Sequence, residues 1–275
     1  MTGLENNSTR DYSQELNPHQ LEVVTAGGGP LLVIAGAGSG KTRALTYRVA
    51  YLIESGIQPG NIMLLTFTNK AAKEMLFRVE GLVPFDMRSL WGGTFHSVGA
   101  RVLRTHADLV GLDSSFTILD RRDSCDVMQT CLDEMGYTKK ESLLPQGNVL
   151  VNMYSLARNT RCSVADMLES RYPYFYDYAD EISTVFKSYQ QRKQRLNVCD
   201  FDDLLCLWLE LLENQDEIRR YYAGRFQHIL IDEYQDTNRL QADICDVLAG
   251  EHRNIMAVGD DAQSIYSFAA QILQI

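Results

Sequence analysis

Apolar residues follow two rhythms along the chain. Short unbroken runs at 31–35, 62–67, 226–231 and 254–258 have the length and character of buried strands. Between them the sequence predicts helices over 19–26, 41–55 and 69–79. Asn17 is a suitable N-cap for the first, and Pro18 suits its first turn; Gly27-Gly28-Gly29-Pro30 breaks it. Strands and helices alternating at this length imply a parallel sheet covered on both faces. From about 106 to 199 the rhythm changes. Strand-like runs become rare and helical periods dominate at 124–135, 149–159 and 179–195. The expected organisation is a polar tail at 1–14, an α/β core over 15–105, an inserted, mostly helical subdomain over 106–199, and the core again over 200–275.

The chain has 275 residues, enough for one large domain or two modest ones. Hydrophobic residues make up 45%, which permits a sizeable core and argues against wholesale disorder. The net charge of −10 excludes a globally basic nucleic-acid binder. It leaves room for a narrow, locally positive track on an acidic body. Six cysteines occur without a C-x-x-C pair, so buried free thiols are expected rather than a zinc knuckle or a redox motif. The first residues are polar, and no apolar run approaches the ~20 residues that span a bilayer. A soluble, cytoplasmic chain without a membrane partner is expected.

Ala35-Gly36-Ala37-Gly38-Ser39-Gly40-Lys41-Thr42 follows a predicted strand and opens a predicted helix. In that context it reads as a P-loop. Glycines let backbone N–H groups curl around phosphate oxygens, and the helix N-terminus adds positive potential. Lys41 would reach the β- and γ-phosphates, and the Thr42 hydroxyl would ligate Mg²⁺. Ala35 stands where the strict pattern has glycine. Further on, His228-Ile229-Leu230-Ile231-Asp232-Glu233 is an apolar strand ending in two acids. Alone, such a pair reads equally as a solvated strand end. With a P-loop upstream, Asp232 reads as a Mg²⁺ ligand and Glu233 as the base that orients and deprotonates water.

Several further segments occur in a telling order. They are Leu16-Asn17-Pro18-His19-Gln20, then Thr66-Phe67-Thr68-Asn69-Lys70-Ala71-Ala72-Lys73-Glu74-Met75, then Gly93-Thr94-Phe95-His96-Ser97. Asp232-Glu233-Tyr234-Gln235-Asp236-Thr237-Asn238 and Val258-Gly259-Asp260-Asp261-Ala262-Gln263-Ser264-Ile265-Tyr266 complete the set. With the P-loop, they resemble the UvrD/Rep family of superfamily 1 DNA helicases over about residues 16–268. The resemblance implies a RecA-like fold, ATP and Mg²⁺ as cofactors, and single-stranded and duplex DNA as substrates. It implies translocation and unwinding in the 3′ to 5′ direction. It places Gln20 and Arg43 beside adenine and Gln263 on the γ-phosphate. It gives Phe67, Tyr266 and Phe268 to the bases of single-stranded DNA, and Asn69, Thr94 and His96 to its backbone. Stacking on an aromatic face is worth roughly 1–3 kcal/mol per base and ignores sequence, as a translocating motor requires. Read singly, each of these aromatics is a core residue as readily as a platform.

Two departures stand out. The family has an arginine shortly after Tyr266, where this chain has Ala269-Ala270 after Phe268. That puts the coupling of nucleotide to DNA in question. The motifs of the family's second motor domain are also missing, so a fragment that binds ATP or DNA without unwinding is the rival expectation. In the helical region, Arg158, Arg161, Arg192, Lys193 and Arg195 read as a solvated face, with a DNA-facing patch as the alternative. Asp200 or Asp202 reads as a helix cap rather than as a catalyst.

Overall fold

A computed structural model describes residues 10–137 and 143–260. In chain order, α1 (Tyr12–Glu15) and α2 (Pro18–Thr25) precede β1 (Leu31–Ile34), α3 (Lys41–Glu54), β2 (Ile62–Thr66), α4 (Asn69–Glu80), β3 (Trp91–Thr94) and α5 (Phe95–Thr105). Then come β4 (Thr117–Ile118), α6 (Arg121–Glu134), α7 (Gly147–Thr160), α8 (Val164–Arg171), α9 (Ala179–Leu196), β5 (Val198–Cys199) and α10 (Phe201–Asn214). The last elements are α11 (Asp216–Arg225), β6 (His228–Ile231), α12 (Arg239–Ala249) and β7 (Ile255–Gly259). The described chain divides into two compact units. One holds residues up to Val98, Gln215–Thr237 and those from Ala242 on; the other holds Gly99–Asn214 with Asn238–Gln241.

The first unit is built on five parallel strands in the order β1-β7-β6-β2-β3. All five residues of β2 are buried, as its unbroken apolar run requires of a strand covered on both faces. Ile62 and Leu64 share one face by the two-residue period of a strand. They join Leu230, Met256 and Val258 beneath Leu45, Val49 and Leu52 of α3 and Met75 and Val79 of α4. The edge strand β1 departs from the expectation of full cover. Leu31 and Val33 pack on this cluster, while Leu32 and Ile34, on the other face, are 41% and 47% exposed.

Asn17 caps α2 through a reciprocal pair of bonds with Gln20. The other end of α2 is closed from a distance. Buried Arg48 of α3 donates to the carbonyls of Val24 (2.8 Å), Ala26 (2.6 Å) and Gly27 (3.2 Å). The terminal carbonyls of a helix lack partners of their own, so this guanidinium ties α2 to α3.

His228, at the start of β6, is pushed down to about 4 by burial, with the charges of Arg48 and His252 adding to it. Its folded value therefore lies below its unfolded value of about 6.5. The unfolded chain binds the proton first, so stability is lost as pH falls from about 6.5 towards 4 and is flat above that window. We expect His228→Asn to remove this part of the loss. Urea midpoints of parent and variant at pH 7, 6 and 5 should converge as the pH falls; parallel lines would show that His228 does not contribute.

In the second unit, α6, α7, α8 and α9 enclose a core of Met128, Leu132, Leu150, Met153, Tyr154, Leu168, Ile182, Val185, Phe186 and Tyr189. A two-stranded parallel ladder, β4 with β5, closes it; the sequence reading did not anticipate these two-residue strands. The unit's limits also differ from 106–199. Residues 201–214, expected in the core, lie in this compact unit as α10. Trp208 there is fully buried, and Glu210 and Glu213 pair with Arg158 and Arg161 of the α7 end at 3.2 Å.

Neither sequence reading of the basic residues holds for all of them. Arg192 pairs with Glu134 (2.6 Å), and Lys193 is buried between Asp200 and Asp203, each at 2.5 Å. Of the five, only Arg195 is an exposed cation without an acidic partner among the described residues. Asp200 does cap a helix: it accepts from the Asp203 backbone N–H at 2.9 Å, and Asp203 returns the bond at 3.1 Å. Asp202 instead accepts from Asn159 at 2.6 Å. All six cysteines are free, four of them buried. Among the described residues no helix is long and apolar enough to cross a membrane.

Candidate nucleotide site

Because all five strands run parallel, their carboxyl ends lie along one edge, and each segment singled out in the core, except 16–20 ahead of β1, follows such an end. The P-loop leaves β1, Phe67 leaves β2, Thr94 ends β3, Asp232 leaves β6 and Asp260 leaves β7. Ligands of open α/β sheets bind at this edge.

The P-loop begins where Ala35 N–H donates to Gly259 of β7 at 3.1 Å. Gly38 and Gly40 have φ of +77° and +89°, a region that other residues enter only with strain. At Gly40 a side chain would also collide with Gln20, whose Nε2 lies 2.4 Å from the position of a Cβ. Gln20 itself donates to the Ser39 carbonyl at 3.1 Å, so the α2 segment touches the loop directly. Lys41 Nζ is almost wholly enclosed. It donates to the carbonyls of Ala35 (2.8 Å) and Gly36 (3.3 Å) and lies 3.3 Å from Asp260 Oδ2. Arg43 donates to the Glu15 carbonyl (2.8 Å) and Tyr47 hydroxyl (3.1 Å), and its guanidinium lies 4.8 Å from the centre of the Tyr47 ring.

Thr42, Phe67, Asp232 and Glu233, with Glu74 and Arg78 of α4, line a cleft of about 360 Å³. Asp232 is buried, and its Oδ1 has no hydrogen-bond partner. Burial, and then the neighbouring Glu233 carboxylate, push it up to about 6, with Lys41 pulling the other way. A buried carboxylate oxygen without a donor is suited to a cation. Among the described residues no three His, Cys, Asp or Glu side chains are arranged to hold a metal ion by themselves. Mg²⁺ needs no such trio, since it is held by one or two protein oxygens together with phosphates and waters. The set of Asp232 and Thr42 therefore fits Mg²⁺ arriving with a nucleotide.

Glu233 is a non-glycine residue at φ 50° and ψ 48°, a left-handed conformation that costs of order 1–3 kcal/mol and clusters at functional sites. Its Oε2 accepts from Gln235 Nε2 at 2.6 Å, and Gln235 Oε1 accepts the Asp260 N–H at 3.0 Å. Gln235 and Asp260 lie within recognised motifs, but the sequence alone gives neither a role. A polar side chain two residues beyond the acid pair was the only sign available.

The residues assigned to DNA divide. Phe67 is 62% exposed, and Asn69 opens α4 exposed behind the capping residue Thr68. Thr94 is buried; its hydroxyl accepts from the Ser97 N–H at 3.2 Å, and its carbonyl accepts from Ser97 Oγ at 2.9 Å. It therefore starts α5 rather than facing outward. His96 is half-buried. Gln263, Tyr266, Phe268 and Ala269 lie outside the described residues.

Residues 16–275 match the family described as UvrD/REP helicase N-terminal domain. The ATP-dependent DNA helicase PcrA of Staphylococcus epidermidis is 39% identical over 262 residues, covering 95% of this chain and 35% of that protein. PcrA of Staphylococcus aureus is 38% identical over 260 residues, covering 94% and 35%. The chain thus spans only 35% of the length of these curated relatives. A parallel sheet with its P-loop and acid pair at one edge, and a match to one family over residues 16–275, place the chain in the UvrD/REP helicase family, as its N-terminal domain.

Proposed function

We propose that the chain is the ATP-binding half of a DNA helicase motor. ATP hydrolysis would carry the intact, cytoplasmic protein 3′ to 5′ along single-stranded DNA and open the duplex ahead of it. The backbone of 36–40 cradles the phosphates, and Lys41 meets the β- and γ-phosphates. Thr42 and Asp232 hold Mg²⁺, which when bound offsets phosphate charge. Glu233 orients the attacking water and takes its proton. Gln20 and Arg43 lie on the adenine side, and Gln263 on the γ-phosphate. Phe67, Asn69 and His96, with Tyr266 and Phe268, form the path for single-stranded DNA.

The observation that carries this reading is the meeting of Lys41 with Asp260 beside the strand that ends in Asp232-Glu233. Its test is Lys41→Ala. A charge-assisted bond to phosphate is worth about 1.5–3 kcal/mol, so affinity for ATP·Mg²⁺ should fall about 10- to 100-fold by calorimetry. Unchanged affinity in a folded variant overturns the assignment.

One observation favours a second reading, in which this chain binds ATP and single-stranded DNA but does not turn over at a motor's rate. Arg78 is the only arginine lining the cleft among the described residues, and it is paired with Glu74 at 2.5 Å. An arginine finger is worth about 10³–10⁵ in the rate of phosphoryl transfer. Steady-state ATPase of the chain with and without single-stranded DNA separates the two. DNA-stimulated turnover of several per second sinks the second reading.

A further inference from the structure

Gln235 is gripped at both ends of its amide. Its NH₂ group donates to Glu233 Oε2 at 2.6 Å, and its carbonyl oxygen accepts the backbone N–H of Asp260 at 3.0 Å. The amide cannot be turned over, because that would set its oxygen against a carboxylate and its NH₂ against an N–H. Asp260 in turn lies against Lys41 Nζ at 3.3 Å. The chain of contacts Glu233–Gln235–Asp260–Lys41 therefore crosses from the end of β6, over β7, to the loop after β1. The bond from Gln235 engages Oε2 of Glu233 and leaves Oε1 to the cleft that Glu233 lines.

We infer that Gln235 is a positioning residue: it fixes one oxygen of Glu233 so that the other meets the attacking water, and it ties that orientation to the phosphate-binding lysine. This rests on the reading of Glu233 as the base. The turn itself does not need the side chain. It is closed by backbone bonds, Asp236 N–H to the Glu233 carbonyl at 2.9 Å and Thr237 N–H to the Tyr234 carbonyl at 3.0 Å. A side chain that only held the turn would be dispensable to the rate, whereas one that aims the base would not.

The test is a cycle of Gln235→Met, Glu233→Gln and the double variant. Methionine keeps the length and volume and removes both bonds. The full chain is held in excess over ATP·Mg²⁺, and hydrolysis is followed in a single turnover. ATP affinity and unfolding temperature are measured alongside. A misplacement of about 1 Å can cost 10²-fold in rate. Gln235→Met should therefore slow hydrolysis about 10- to 100-fold, leave ATP affinity within about threefold, and cost nothing further when Glu233 is already glutamine. A second readout is independent of rate: Mg·ADP with aluminium fluoride should bind more weakly to Gln235→Met, while Mg·ADP alone binds as before. Gln235→Asn, one methylene shorter, should not restore either property. Parent-like hydrolysis and fluoride-complex binding in Gln235→Met overturn this inference alone, as does a loss that multiplies with that of Glu233→Gln. Insensitivity of the parent's hydrolysis to Glu233→Gln overturns the base assignment and this inference with it.

Discussion

Glu233→Gln is expected to bind ATP·Mg²⁺ as tightly as the parent chain and to hydrolyse it about 10²–10⁴-fold more slowly, the usual cost of losing a general base. The amide has the size of the carboxylate. Its oxygen can still accept from Gln235 Nε2, so the contact at 2.6 Å survives the change. What is lost is the ability to take a proton. In the proposed site the phosphate contacts would come from the P-loop and Lys41, which leave β1 rather than β6, so affinity has no reason to move. The competing view of the acid pair as a solvated strand end makes the opposite prediction, a parent-like rate. Two observations already weigh against it: Asp232 is buried, and Glu233 is held in a left-handed conformation. Rapid-quench measurement with enzyme in excess reads the outcome, and a rate within a few-fold of the parent's would move the base elsewhere.

Lys193→Met should destabilise the helical unit by about 3–5 kcal/mol, the range for removing one partner of a buried ion cluster. The ammonium sits 2.5 Å from both Asp200 and Asp203, with the rings of Tyr189 and Tyr154 at 4.2 and 4.8 Å. Without it, two buried carboxylates face each other with no countercharge. Burial and the Asp200 charge already raise Asp203, and only Lys193 and a backbone bond restrain it. In the variant the lysine's share of that restraint is gone and the carboxyl rises further. An acid whose folded value is raised costs stability that builds up as pH rises from its unfolded value to its folded one and is full only above the latter, so the deficit should be larger at neutral pH and shrink as pH falls into the acid range. Burial works against the lysine's charge, but Asp203, Tyr154 and Asp200 outweigh it and raise its own value. Its contribution is therefore present throughout the neutral range and disappears only in strong alkali. Arg195→Met, on the same helix but exposed, should stay within about 0.5 kcal/mol of the parent. Denaturant midpoints at pH 7 and 5 check both, and equal small effects of the two substitutions would show that the buried cluster contributes little.

The sequence revealed those parts of the fold whose physical requirement is local. β2, β6 and β7 are legible because a doubly covered strand must be apolar throughout, and their ends fall within two residues of those expected. The P-loop is legible because Gly38 and Gly40 occupy positive φ, which favours glycine. β3 was missed for the converse reason. Trp91-Gly92-Gly93-Thr94 has no apolar run, because its neighbours occupy the side-chain space: a Cβ at Gly92 would meet Leu76 at 2.6 Å, and one at Gly93 would meet Ser97 at 2.3 Å. Pairings across long separations were equally hidden. Arg158 and Glu210 are 52 residues apart, and nothing local distinguishes them from a solvated face. At the candidate site the residue types were legible, while the link through Gln235 was not, since it depends on where β7 ends relative to β6.

The order β1-β7-β6 makes the sheet a measuring scale for the loops at its carboxyl edge. Neighbouring strands are about 4.8 Å apart, so the loops leaving β1 and β6 are separated by two graduations, about 10 Å. The central graduation, β7, is locked on both sides: Val258 stands opposite Val33, and Ala257 opposite Ile231. Surface loops elsewhere can lengthen without disturbing this spacing. A single residue inserted within β7 cannot be absorbed, because it reverses the facing of every side chain beyond it and carries Asp260 about 3.3 Å along the strand direction. Natural variation in this family should therefore preserve the length of β7 even where its apolar residues exchange freely.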